Sequence, residues 1–163
     1  MDQNLTNNTF FLHGLDSSSR GTKGQWFAKH FPEVSVPDFK GELSARLASL
    51  EKLCCNSKDI TLVGSSFGGL MATCFAIKHP QKCRSLILLA PALNFPEYTP
   101  PPEKITTPTI VTIGEQDTVT PPQKVLPLAR NSFSRLQIVT YEDDHMLHNS
   151  FEKLDWQALL QHT

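Results

Sequence analysis

Six short apolar runs alternate with helical patterns along the chain, and this alternation limits the folds that are open to it. Polar residues do not alternate regularly within the runs, so they fit strands covered on both faces, as in a parallel sheet. The runs cover residues 9–12, 34–36, 60–63, 85–89, 109–113 and 136–140, and the candidate helices cover 43–54, 67–79, 121–130 and 150–161. The order predicts an α/β fold with three layers, doubly wound, around a mostly parallel sheet of about six strands.

The length and charge of the chain argue against several classes of protein. Its 163 residues fit one domain, 1–163, and 15 Lys and Arg against 16 Asp and Glu leave a net charge of −1. Without a basic stripe we expect no nucleic-acid partner, and without a run of about 20 apolar residues we expect no membrane span. The first nine residues contain no apolar leader. We therefore expect a cytoplasmic protein that is a monomer or a weak dimer.

The cysteines do not indicate a metal site. Cys54, Cys55, Cys74 and Cys83 match neither a zinc-binding spacing nor the C-x-x-C pattern. We expect reduced thiols that are mostly buried, because free cysteine is among the most buried residue types.

The stretch LVGSSFGG, residues 62–69, is the strongest indication of chemistry. Residues 64–68 fit the pattern G-x-S-x-G with Ser66 at the centre, between an apolar run and a helical pattern. A strand that turns at once into a helix strains the central residue and lifts its hydroxyl clear of the backbone. Ser66 is therefore the predicted nucleophile. Ser65 lacks the symmetric glycines, and an ordinary turn of small residues is the alternative interpretation.

A serine hydroxyl needs a base, and two downstream loops offer a base and an acid. The stretch IGEQDTVTP places Asp117 just after the run at 109–113, and QIVTYEDDHMLHNS places His145 after the last run. Both residues follow the carboxyl ends of predicted parallel strands, where open α/β sheets carry their sites. The sequence thus predicts that Ser66, His145 and Asp117 form a catalytic triad.

Each partner has a rival or a plainer interpretation. His148 is a second candidate base, and Asp143 and Asp144 are rival acids. These two aspartates are close to His145 in sequence, which keeps them from reaching the far side of its ring. Asp117 also suits a turn, or a cap for the helix predicted at 121–130.

Stabilising an oxyanion requires two convergent backbone N–H groups. After the first apolar run, His13-Gly14-Leu15 forms a predicted tight turn, which Gly14 permits and which aims the Leu15 N–H inward. The Phe67 N–H, directly after the nucleophile, is the second candidate donor. Leu15 and Phe67 are therefore the predicted oxyanion hole.

Residues 90–108 form a long connection with six prolines and no convincing helical pattern. A connection of this length is unusual in a compact domain and is often functional. The alternative is a stiff surface loop in polyproline geometry.

Taken together, these motifs resemble those of the α/β-hydrolase superfamily over essentially the whole chain. The matching residues are HGL at 13–15, GSSFGG at 64–69, GEQDTVTP at 114–121 and DDH at 143–145. Within that superfamily the chain looks like the compact, lidless, single-domain bacterial serine esterases. We expect a truncated version of the fold that lacks the first two strands, with residues 90–108 in place of the cap domain.

The resemblance implies an activity for these residues. Ser66 would attack an acyl carbonyl while His145 takes its proton and Asp117 orients the imidazole, with no metal or cofactor. The implied substrate is an ester or thioester with a short to medium acyl chain, and the candidate substrate contacts are Phe95, Tyr98 and Met146. The alternatives are an acyltransferase that uses the same acyl-enzyme, and a non-catalytic protein that binds a ligand or partner with a hydrolase fold.

Overall fold

The described part of the chain, residues 8–162 of a computed structural model, forms one sheet of five parallel strands. The strands lie in the sheet in chain order: β1 (Thr9–Leu12), β2 (Ile60–Ser65), β3 (Cys83–Leu89), β4 (Thr109–Gly114) and β5 (Leu136–Tyr141). Five α-helices flank the sheet: α1 (Thr22–His30), α2 (Leu43–Leu53), α3 (Phe67–Lys78), α4 (Pro122–Ser132) and α5 (Trp156–His162). Short 3₁₀ turns occur at Pro80–Lys82 and Phe151–Lys153.

The predicted α/β class and the three layers are confirmed, and the number of strands is five where the sequence predicts about six. The run at 34–36 forms only a single bridge, between Ser35 and Phe10 at the open edge of β1. Pro32 and Pro37 enclose this run, and proline cannot donate to a ladder. The described strands lie in the sheet without a reversal of order, and helices cover both of its faces.

Alternate side chains of the central strands point into two separate cores. Leu62, Leu86 and Leu88 face the larger core under α2, α3 and α4. Val63, Ile87 and Leu89 face the other core, which α1 and α5 cover. This period of two, apolar on both faces, is what a covered parallel sheet requires.

The core under α1 and α5 is an aromatic cluster. It contains Trp26, Phe27, Phe31, Phe151 and Trp156, and the ring centroids of Trp26 and Trp156 are 6.0 Å apart. Edge-to-face pairs such as Phe27 with Trp156, at 4.9 Å and 80°, are the favoured aromatic arrangement. The cluster fixes both helices against the same face of the sheet.

Two helical segments differ from the prediction. Helix α1 is not predicted by the sequence pattern, because it buries only Lys23, Gly24 and Phe27 and its apolar stripe is narrow. The predicted helix at 150–161 is divided into a 3₁₀ turn and α5. The carboxylate of Asp155 accepts the Ala158 N–H at 3.1 Å, so Asp155 caps α5. No helix within residues 8–162 is long and apolar enough to cross a membrane.

Candidate active site

A cavity of about 650 Å³ lies where β1, β2, β3, β4 and β5 end and their loops meet. Its lining includes Ser66, His145, Leu15 and Phe67 from the predicted site. Most of the remaining lining is apolar or small. The volume lies within the range of small-molecule binding sites, about 300–1,000 Å³.

Ser66 lies at the junction of β2 and α3 in a strained backbone conformation. Its φ is 54° and its ψ is −113°, values that side chains other than glycine rarely adopt. The residue precedes the first turn of α3, so the positive end of that helix points at the hydroxyl. The strand, turn and helix predicted from the sequence are therefore present, with Ser66 at the turn.

Two glycines make this turn possible by allowing close approach of backbone to backbone. A Cβ on Gly64 would overlap the carbonyl of Gly68 across the turn, and a Cβ on Gly68 would overlap the carbonyl of Leu12 on β1. Any larger residue at either position would push the helix away from the sheet. The G-x-S-x-G spacing is thus a packing requirement of the strand-to-helix turn.

The loops after β4 and β5 bring Asp117 and His145 to Ser66. His145 Nε2 is 3.1 Å from Ser66 Oγ, and His145 Nδ1 is 2.8 Å from Asp117 Oδ2. The Asp117 side chain is fully buried, and the His145 side chain is 18% exposed. The hydrogen bonds are satisfied when Nδ1–H donates to Asp117 and Nε2 accepts the Ser66 hydroxyl proton.

Thr120 completes this arrangement, and the sequence analysis missed it. Its Oγ1 donates to Asp117 Oδ2 at 2.6 Å and lies 3.1 Å from His145 Nδ1. The other carboxylate oxygen, Oδ1, accepts the N–H groups of Val119 and Thr120 at 2.9 and 2.8 Å. Asp117 cannot rotate without losing these bonds. The available signal in the sequence was a threonine three residues after Asp117 in the same loop, close enough to bond the carboxylate.

Two buried groups hold the loop that carries His145. The Asp143 carboxylate accepts the N–H groups of Asp144, Asn149 and Ser150 at 2.8 to 3.0 Å. The Lys23 ammonium, from α1, donates to the Met146 carbonyl at 2.7 Å. Burial lowers the pKa of Lys23, and the nearby carboxylates of Asp144 and Asp143 oppose that shift.

None of the rival candidates takes part in the hydrogen bonds among Ser66, His145 and Asp117. His148 is exposed and pairs through Nδ1 with Asp144, a contact that holds the pKa of Asp144 below its ordinary value. Asp143 has no hydrogen bond to the imidazole, because its oxygens are occupied by backbone N–H groups. Ser65 is the last residue of β2. The structure brings together Ser66, His145 and Asp117, and none of these rivals joins them.

Two backbone N–H groups border the cavity beside Ser66. An added Cβ on Gly14 would lie 3.8 Å from the Ser66 Cβ, so the turn at 13–15 is in contact with the nucleophile. Phe67 is the first residue of α3, and a first-turn N–H has no acceptor within its own helix. Within residues 8–162, neither the Leu15 nor the Phe67 N–H has a hydrogen-bond acceptor. Both are free to bind an oxygen of a ligand.

Comparison with known protein families identifies the fold. The family model for the alpha/beta hydrolase fold matches residues 14–106, more than half of the chain. The chain belongs to this family. The matched range contains Leu15, Ser66 and Phe67, and it ends before Asp117 and His145. No curated protein matches the sequence.

Solved structures support the same fold for this alpha/beta hydrolase at low sequence identity. The chain is similar to mouse alpha/beta hydrolase domain-containing protein 10, with 18% identity, a TM-score of 0.67, and coverage of 85% of this chain and 81% of that one. A monoacylglycerol lipase from Paleococcus ferrophilus is 15% identical with a TM-score of 0.73, and the match covers 95% of this chain and 94% of that one. Est1E from Butyrivibrio proteoclasticus, with ferulic acid bound, is 15% identical with a TM-score of 0.73, and the match covers 99% of this chain and 90% of that one.

The apolar wall of the cavity in this alpha/beta hydrolase contains two of the three predicted substrate contacts. Phe95 lines it and meets Phe67 edge to face at 5.5 Å, and Met146 lines it with 45% of its surface exposed. Tyr98 does not line the cavity. Its hydroxyl bonds the Ser132 hydroxyl at 2.6 Å, and burial raises its pKa. The ring packs against the larger core, so the prediction for Tyr98 is not supported.

The connection at 90–108 contributes one wall of the cavity and is tied to the rest of the domain. The Asn94 side chain donates to the Val119 carbonyl at 3.1 Å, and Ile105 forms a bridge with Phe133 after α4. Together with the bond from Tyr98, these contacts anchor the connection at its beginning, middle and end.

The cysteines offer no competing nucleophile in the cavity. All four are free thiols and none lines the cavity. Burial raises the pKa of Cys54 and Cys74 to about 11 and that of Cys83 to about 12. Cys54 is buried, Cys74 and Cys83 are partly buried, and Cys55 is exposed. The prediction of mostly buried thiols therefore does not hold for Cys55.

Proposed function

We propose that this protein is a serine hydrolase that cleaves carboxylic esters or thioesters with short to medium acyl chains. The observation that carries the proposal is the continuous path from Ser66 Oγ through His145 to the buried Asp117 carboxylate. A hydroxyl becomes an effective nucleophile when an oriented base takes its proton. The monoacylglycerol lipase and Est1E among the structural neighbours share this fold.

In the proposed reaction, Ser66 Oγ attacks the acyl carbonyl carbon while His145 Nε2 accepts the hydroxyl proton. Asp117 keeps the imidazole in the required tautomer and stabilises its charged form. The N–H groups of Leu15 and Phe67 bind the oxygen that becomes negative. The tetrahedral intermediate then collapses, and His145 gives the proton to the departing alcohol or thiol. Water repeats the sequence on the acyl-enzyme and releases the acid.

The cavity supports the proposed acyl length. Phe67, Phe95 and Met146 give it an apolar lining, and its volume of about 650 Å³ accommodates a small acyl ester. The connection at 90–108 covers the cavity only through the wall that carries Phe95. This leaves little material for a deep tunnel, so long acyl chains are poor substrates.

The test is a panel of p-nitrophenyl esters and acyl-CoA thioesters of increasing chain length, followed by active-site labelling with a fluorophosphonate. We expect the label on Ser66, and a loss of about 10⁴-fold or more in turnover for Ser66→Ala. The matched control is Ser65→Ala, which removes the neighbouring hydroxyl and keeps at least half of the activity.

Three results would contradict the proposal. The label on Ser65, or no label on folded protein, rejects Ser66 as the nucleophile. Turnover of long-chain esters ten times faster than that of the butyrate ester rejects the acyl length. Acyl transfer to an added alcohol in preference to water identifies an acyltransferase instead.

A further inference from the structure

Arg46, on α2, is a buried arginine whose three nitrogens each donate to a backbone carbonyl, two of them in the turn that borders Ser66. Only 4% of its surface is exposed. Its Nε donates to the Gly41 carbonyl at 2.9 Å, and its Nη2 donates to the Leu15 carbonyl at 3.1 Å. Its Nη1 reaches the Gly14 carbonyl at 3.5 Å. The guanidinium therefore connects the segment just before α2 to the turn that borders Ser66.

The contact with Gly14 and Leu15 bears on the direction of one N–H group. In a trans peptide unit the carbonyl and the following N–H point in opposite directions. The Gly14 carbonyl accepts from His13 Nδ1 at 2.7 Å and from Arg46. The Leu15 N–H, in the same peptide unit, must then point away from both side chains. The next carbonyl, of Leu15, is also bonded to Arg46, which limits rotation on either side.

The same arginine contacts the second candidate donor. Its guanidinium carbon lies 5.2 Å from the centre of the Phe67 ring, a cation–π contact. Phe67 supplies the N–H that directly follows Ser66. One side chain thus bonds the turn that offers one N–H and packs on the residue that offers the other.

We propose that Arg46 is a positioning residue that fixes the spacing of the two N–H groups of the oxyanion hole. This inference rests on the proposed function, because it concerns the same site. Arginine suits the role, since its planar fork donates to several carbonyls at once and stays charged when buried. Arg46 acts through the backbone and does not itself contact the substrate.

The test compares Arg46→Met and Arg46→Lys with the wild-type enzyme. Methionine keeps most of the apolar stem but has no donor, and lysine keeps the charge but has no planar fork. The main measurement is the inhibition constant of an alkyl trifluoromethyl ketone, which forms a tetrahedral adduct with an oxyanion. The matching alcohol, which carries no electrophilic carbon, measures binding of the ground state.

Removal of one oxyanion donor in serine hydrolysis costs about 10²–10³ in turnover, so a displaced donor costs less. For Arg46→Met we expect turnover and ketone affinity to fall by about 10–100-fold, while affinity for the alcohol changes by less than about threefold. For Arg46→Lys we expect a loss of at least about fivefold in the same two measurements. Arg20→Met is the matched control, because Arg20 is exposed and does not line the cavity. Its turnover and ketone affinity should stay within twofold of the wild-type values.

Several outcomes would overturn the role of Arg46. Equal losses for the ketone and the alcohol indicate a damaged cavity, and full activity in Arg46→Lys shows that charge alone suffices. Failure of both variants to fold, seen by circular dichroism, assigns Arg46 to folding only. Failure of the proposed function is distinguishable, because it appears in the wild-type enzyme as absent labelling of Ser66 and absent turnover.

Discussion

The loops after β4 and β5 each bury an aspartate to the same extent, yet the two carboxylates have different partners. Asp117 and Asp143 are both 4% exposed. Asp143 gives both oxygens to backbone N–H groups of its own loop. Asp117 gives one oxygen to its loop and turns the other toward the imidazole of His145. Burial therefore does not distinguish the proposed acid of the triad from a carboxylate that supports a loop; the direction of the second oxygen does.

The largest effect that separates the two loops is expected for Asp117→Asn. The amide can still accept the N–H groups of Val119 and Thr120 through its oxygen. Its NH₂ group, however, then faces the Nδ1–H of His145 and favours the wrong tautomer. By analogy with the same change in a serine protease triad, we expect turnover to fall by about 10⁴-fold.

Steady-state kinetics with a p-nitrophenyl ester measure this loss, and thermal unfolding measures the fold. The melting temperature should change little. If Asp117→Asn keeps more than a tenth of the activity, the acid of the triad has been assigned to the wrong loop.

For Asp143→Asn we expect the reverse pattern, with a moderate loss of stability and a smaller loss of turnover. An asparagine can satisfy the N–H groups on one side only, so at least one N–H that is buried or partly buried loses its acceptor. An unsatisfied buried donor costs about 1–3 kcal/mol, which corresponds to a decrease in melting temperature of roughly 2–10 °C for a domain of this size. Turnover of the folded enzyme should fall by about tenfold or less, because Asp143 does not contact the imidazole.

Differential scanning calorimetry and kinetics at a temperature well below the transition check both quantities. A loss of turnover as large as that of Asp117→Asn, without a loss of stability, would make Asp143 the functional acid.

The smallest effect is expected for Asp144→Asn, and it depends on pH. The bond from His148 holds the pKa of Asp144 below its ordinary value. A depressed pKa stabilises the folded state above the pKa of the unfolded chain, and the contribution is lost as the pH falls through the folded pKa. The wild-type advantage over Asp144→Asn should therefore be present near pH 7 and smaller near pH 3.

Because this pair is exposed, the two melting temperatures at pH 7 should differ by less than about 2 °C. Melting curves of both proteins at pH 3 and pH 7 measure this difference in melting temperature. The turnover of Asp144→Asn should stay within about threefold of the wild-type value. A larger difference at pH 3 than at pH 7 would show that the sign is wrong.

The sequence predicts those parts of the site that depend on local spacing and on strand ends. Ser66 was identifiable because G-x-S-x-G lies between an apolar run and a helix. Asp117 and His145 were identifiable because each follows a predicted strand, and parallel strands end on the same side of a sheet. Distances between these groups are set by the register of β2, β4 and β5, which the sequence does not state.

Of the two residues that were missed, Thr120 lies only three residues from Asp117, whereas Arg46 makes its contacts over long separations in the chain. Arg46 contacts the backbone at 14, 15 and 41 and the ring of Phe67, and only the tertiary structure brings these segments together. An arginine on an amphipathic helix is usually exposed, so its position gives no local signal. Tyr98 was a candidate substrate contact, and the structure instead bonds its hydroxyl to Ser132.

The aromatic cluster under α1 and α5 determines what an optical experiment on this protein reports. Trp26 and Trp156 are the only two tryptophans in the chain, and both lie in that cluster. Tryptophan fluorescence therefore originates entirely from one face of the sheet. The emission reports on the layer of α1 and α5, which supports Lys23 and the loop of His145. It does not change when α2, α3 or α4 loosens separately. A shift seen by circular dichroism without a change in emission would locate partial unfolding on the side of Arg46.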